Sequence, residues 1–108
     1  MKSPRRRARE FALQGLYQWQ LAGNDAPAIE AHLSGVAGFE KMDRPLFDLL
    51  LKGAIAGAAE LQALIEPQID RPYAELSPVE RAILLLATFE LKRHVEAPYK
   101  VVINEAIE

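Results

Sequence analysis

The sequence predicts an all-α fold on three grounds. Apolar residues recur at helical spacing along most of the chain, and strict apolar-polar alternation with tight hairpin turns is missing. Polar caps, early prolines and glycine stops also fall where helices would begin and end. Taking the elements in order, Ser3 and Pro4 open a first helix that runs to Ala22, and Gly23-Asn24-Asp25 stops it. A short second helix covers Pro27 to Leu33, followed by the small-residue linker SGVAG. Asp43 caps a third, with Pro45 in its first turn and Leu46, Leu49, Leu50, Ile55, Leu61, Leu64 and Ile65 as core positions. Gly53 and Gly57, four apart on one face, either let another helix approach closely or are merely tolerated small residues. Pro67 and Pro72 break or kink the segment after Ile65.

Ser77-Pro78-Val79-Glu80 is a capping box. The serine side chain accepts from the Glu80 N–H, the glutamate reaches back to Ser77, and Pro78 sits where its missing donor costs nothing. The helix it opens carries Ile83, Leu84, Leu85 and Leu86 in succession, pointing in four directions, so burial nearly all round is expected. Lys92, Arg93 and His94 suit its C-terminus, and Pro98 begins a last segment that reaches Glu108 without a stop signal.

At 108 residues, half of them apolar, the chain has the length and core of a single domain over residues 1–108. There is no cysteine, which excludes disulfides, thiolate metal sites and a cysteine nucleophile. No stretch approaches the ~18 apolar residues of a membrane span, and the glutamines within FALQGLYQWQLAG argue against a signal-peptide core. A cytoplasmic location is the expectation. Catalysis finds little to use. His32 and His94 have no metal-ligand spacing, Ser3, Ser34 and Ser77 lack a nucleophile context, and no phosphate-binding glycine motif occurs. Neither a cofactor nor an enzymatic activity is expected.

The net charge of −2 conceals an asymmetry. Lys2, Arg5, Arg6, Arg7 and Arg9 supply five of the 13 basic residues before the first acid, Glu10, so the remaining chain carries eight basic against 15 acidic side chains. An acidic body with a basic arm over residues 1–9 calls for a polyanionic partner, and nucleic acid is the commonest. With Arg5 at 0° and 100° per residue, Ala8, Phe11, Ala12, Gly15, Leu16 and Trp19 fall between about 240° and 20°, a core stripe. Arg6, Glu10, Leu13 and Tyr17 fall between about 80° and 140°, which sets a guanidinium and an aromatic ring on one face. That pairing suits RNA, where arginine engages phosphates and the ring stacks on an unpaired base. Burial of Leu13 and Tyr17 against a second helix layer is the competing reading. Four arginines at a helix N-terminus also oppose the macrodipole, so the arm is expected to fray when free and to order on an anion.

The run RRRAREFALQGLYQWQ, the segment LSPVERAILLLATFELK and the segment PYKVVINEAIE together resemble the NusB family of bacterial transcription antitermination factors. The resemblance implies two packed three-helix bundles, the second incomplete here because family members continue into a further helix. It implies binding of boxA RNA by Lys2, Arg5, Arg6, Arg7 and Arg9, with Tyr17 and Lys100 as further contacts. It also implies partnership with NusE, a small-subunit ribosomal protein, through Glu80 and Arg81, although capping is a sufficient role for Glu80. The pair joins RNA polymerase with NusA and NusG to suppress termination in ribosomal RNA operons, and a homodimer is left open. Two rival readings remain: the NusB-like domain of a ribosomal RNA cytosine methyltransferase of the RsmB type, and a helical scaffold whose arm is only a solvated tail.

Overall fold

The computed structural model describes the backbone of residues 2–107 and the side chains of residues 2–93. Among the described residues it is all-helical, with α1 (Pro4–Ala22), α2 (Ala26–Leu33), α3 (Arg44–Ala56), α4 (Ala58–Ile65) and α5 (Pro78–Ile107), and short 3-10 turns at Phe39–Lys41, Glu66–Gln68 and Tyr73–Glu75. The helix starts obey the capping chemistry. Ser3, Asp25 and Asp43 each accept from a backbone N–H three residues on, and α1 ends at Gly23 in the left-handed region (φ 69°), its N–H bonded to the Trp19 carbonyl.

α1 is the hub. Its stripe of Ala8, Phe11, Ala12, Gly15 and Leu16 is buried against α2, α3 and α5, as the helical spacing predicted, with Trp19 half-buried at the end of it. α1, α2 and α3 form the first three-helix bundle, and α4 and α5 pair with each other while α5 also leans on α1 and α3. A Cβ on Gly15 would lie 2.9 Å from Leu51 and 3.1 Å from Ile29, so this position holds three helices at their closest approach. Phe39 lies edge-on between Phe11 and Phe47, with ring centroids 5.5 and 5.7 Å apart, and Arg44 covers the Phe39 ring. The buried Phe39 and Met42 thus turn the stretch after the small-residue linker into core, which local sequence pattern does not reveal.

Three expectations are corrected. The run from Asp43 to Ile65 is two helices, because the backbone leaves helical geometry at Gly57 (φ −98°, ψ 12°), and this turn re-phases the apolar residues. Leu64, beyond the turn, faces solvent, and Leu49 lies on the outer face of α3, whose core consists of Phe47, Leu50, Leu51 and Ala54. α5 is not buried all round. Ala82, Leu85 and Leu86 face the core, while Val79 and Ile83, one turn apart, are each about half exposed, because helices cover only one side of α5. Nor does α5 stop at His94; it continues to Ile107. Cationic side chains are preferred at a helix C-terminus by only about 0.3–1 kcal/mol, so Lys92, Arg93 and His94 do not by themselves enforce a stop. The side chains of the last segment lie outside the described residues.

Gly53 has the role that its spacing allowed. A Cβ there would fall 2.3 Å from the Phe89 ring, so α5 crosses α3 with no room for a methyl group. Gly57 instead serves the turn between α3 and α4. Gly53→Ala is expected to lower stability by about 1–3 kcal/mol in urea unfolding, less the ~0.5–1 kcal/mol gained from alanine in a helix. In a Phe89→Ala background the same substitution should cost nothing further, because the clashing ring is gone.

Candidate nucleic-acid interface

The first turns of α1 carry all four arginines, and the helix is fastened beneath them. Ser3 Oγ accepts from the Arg6 N–H at 3.1 Å, the Asp43 N–H donates to the Pro4 carbonyl at 3.0 Å, and Ala8 is fully buried. These anchors oppose the fraying that mutual repulsion of the arginines would promote. Burial of Ala8 turns Arg5 and Arg6 outward, with side-chain exposures of 62% and 69%, while Arg7 and Arg9 are half-buried.

Carboxylates from α1 itself and from distant parts of the chain soften the conflict with the helix dipole. Asp43, while capping α3, brings Oδ2 to 3.9 Å from Arg5 Nη1. Glu10 accepts from Lys2 Nζ at 2.8 Å and lies 3.5 Å from Arg6 Nε. The Lys2 hydrogen bond, ahead of the charges of Lys2, Arg6 and Arg7, holds the Glu10 carboxyl below its ordinary value. Arg9 Nε donates to Glu90 Oε1 of α5 at 2.7 Å. Arg7 packs against the turn at Gly38, whose left-handed backbone (φ 94°) and lack of a side chain admit the guanidinium. Among the described residues, no carboxylate stands within ion-pair distance of Arg7.

Tyr17 is exposed rather than covered by a second helix layer. It lines a shallow, mainly apolar groove of about 360 Å³ with Leu13, Gln14, Gln18, Val79 and Ala82. The arginines and this groove lie along one helix, so a strand crossing the basic end reaches a surface with an exposed ring and two amides. Four of its six lining residues come from α1, and α5 closes it with Val79 and Ala82.

Glu80 and Arg81 open α5. The capping box forms in both directions, with Glu80 N–H to Ser77 Oγ and Ser77 N–H to Glu80 Oε1, each at 3.1 Å, and Arg71 Nη2 donates to Glu80 Oε2 at 2.7 Å. Arg81 Nε donates to Gln20 Oε1 at 3.0 Å, and Gln20 in turn donates to the Pro78 carbonyl. Arg81 therefore ties α5 to α1 through Gln20, while Glu80 caps α5 and holds Arg71. Arg81 also lines a broad open groove of about 1080 Å³ with Trp19, Tyr73 and Arg71, which sequence reasoning missed because its walls come from α1, α4, α5 and the turns between the last two. Lys100 lies outside the described side chains. Among the described residues no group of His, Cys, Asp and Glu is arranged to hold a metal, and no helix is long and apolar enough to cross a membrane.

The fold and site define an all-helical protein that presents a basic helix end beside an exposed aromatic groove. The NusB family profile matches residues 6–108. The chain is 60% identical to the transcription antitermination protein NusB of Aromatoleum aromaticum over 107 residues, 99% of this chain and 74% of that protein. It is 56% identical to the NusB of Paraburkholderia phytofirmans over 100% of this chain and 75% of that protein. With the NusB of Ralstonia nicotianae it shares 61% identity over 99% of this chain and 69% of that protein. The chain belongs to the NusB family.

Backbone N–H donation from Ser77, then its side chain and the charge of Arg71, hold the Glu80 carboxyl below its ordinary 4.5. A depressed folded value contributes stability above the unfolded value and loses it as pH falls through the folded one. The thermal midpoint of the native chain should therefore drop relative to Glu80→Gln, which keeps the capping oxygen without the charge, as pH is lowered from about 6 to about 3.

Proposed function

We propose that this chain is an RNA-binding transcription antitermination factor that acts without catalysis in the cytoplasm. In this reading Lys2, Arg5, Arg6, Arg7 and Arg9 take phosphates of boxA RNA, and Tyr17 stacks on an unpaired base. Lys100 is a further RNA contact, and NusE binds alongside through Glu80 and Arg81. The assembly joins RNA polymerase with NusA and NusG to suppress termination in ribosomal RNA operons.

The observation that carries this reading is the cluster of four arginines, Arg5 and Arg6 outward and Arg7 and Arg9 half-buried, on an anchored helix in an otherwise acidic chain. Guanidinium groups held on a rigid element lose little freedom on engaging phosphates, and helix N–H groups add their own preference for an anion. A tail that only aids solubility needs neither the Ser3 cap nor the Asp43 tether beneath it. The names of the relatives favour the antitermination reading over a methyltransferase one.

A mobility-shift titration with boxA RNA and a scrambled control, with and without NusE, at two salt concentrations tests the proposal. Three to five phosphate contacts to a single strand predict a log–log salt slope of about −2 to −3.5, and salt-insensitive binding would count against the arginines. Charge reversal of Arg5, Arg6 and Arg7 together should abolish binding. The thermal midpoint should barely move, because exposed pairs contribute about 0–1 kcal/mol and acids at a helix N-terminus recover a similar amount. Tyr17→Ala should weaken binding by about 1–3 kcal/mol if its ring stacks on a base.

A further inference from the structure

We infer that the RNA path does not end on α1 but continues onto α5, where Arg93 joins Arg5 and Arg9 in a second phosphate pocket that Glu90 restrains. The inference rests on the RNA-binding reading above. Arg5 and Arg9, one turn apart on α1, and Glu90 and Arg93, one turn apart on α5, line one crevice of about 200 Å³, floored by Leu46 and Leu49 of α3. Three guanidinium groups from two helices thus share a concave site with a single carboxylate among the described residues lining it. The apolar floor excludes water from one side and strengthens attraction for an anion.

The geometry gives each residue a separate part. Glu90 accepts from Arg9 through Nε, which holds the guanidinium plane and leaves its two terminal amino groups for a ligand. Arg93 is exposed, with its guanidinium carbon 6.0 Å from the Phe89 ring centroid, and that ring is wedged against Gly53. The tight α3–α5 crossing thus seats a ring whose face lies at the edge of cation–π range of the third guanidinium. Glu90 is also an anion already in the pocket, so an arriving phosphate meets its repulsion. Glu90 is a positioning residue for Arg9 and a brake on affinity.

Fluorescence-anisotropy titration of the 108-residue chain with a boxA oligoribonucleotide tests this. Arg93→Gln should weaken binding about fivefold at 0.1 M salt and make the log–log salt slope shallower by about 0.7, the effect of one phosphate contact on a single strand. Arg93→Lys, which keeps the charge, should recover most of that loss. Glu90→Gln retains an oxygen for Arg9 Nε and removes the competing charge, so binding should tighten several-fold. Arg71→Gln, in the separate groove beside Trp19, should leave affinity unchanged. If Arg93→Gln binds like the native chain while Arg6→Gln with Arg7→Gln loses binding, the second pocket is refuted and the first reading stands. If neither variant loses binding, the RNA-binding reading itself fails. Weaker binding by Glu90→Gln would overturn the restraining role of Glu90.

Discussion

Burial of one side of α1 is the constraint on which the rest of the structure depends. Ala8, Phe11, Ala12, Gly15 and Leu16 give α2, α3 and α5 a common surface, and small residues at positions 8, 12 and 15 bring the helices close. Because that stripe must face inward, the arginines of the first turns have to face outward or lie along the rim. The orientation of the candidate site thus follows first from packing.

The electrostatic cost of that arrangement is met from elsewhere in the chain. Cations at a helix N-terminus are unfavourable by ~0.3–1 kcal/mol each, and α1 has no acid in its first turn to offset them. Asp43 and Glu90 come from α3's cap and from α5, and Glu10 reaches back from the second turn. These pairs are exposed or half-exposed, so each contributes little to stability. Their main consequence is positional. They distribute the arginines over a surface rather than letting them repel one another into solvent, while leaving donors free for a polyanion.

The two glycines of α3 and its end show how one spacing pattern can conceal two roles. Gly53 and Gly57 look alike in the sequence, four apart and each followed by an alanine. Gly53 makes room for Phe89 of α5, whereas Gly57 lets the backbone turn between two helices. The Phe89 ring seated on Gly53 also lies 6.0 Å from the Arg93 guanidinium carbon, so the packing of α5 on α3 bears on a charge at the surface. Positions that touch no ligand can affect binding through such contacts.

The sequence by itself determined the all-helical class, the caps at Ser3, Asp43 and Ser77, the buried stripe of α1 and the concentration of arginines at its start. Each of these depends on chemistry within about four residues, where helix periodicity and side-chain capping act. The NusB resemblance was legible for a related reason, because three separated segments in order span the chain. Only the tertiary structure decided that Phe39 is core, that Leu49, Leu64 and Ile83 are not, that Tyr17 stands in a groove, and that Arg9 meets Glu90. Those outcomes depend on which elements lie opposite one another. A residue 81 positions away sets the environment of Arg9, and no local pattern in the chain encodes that distance.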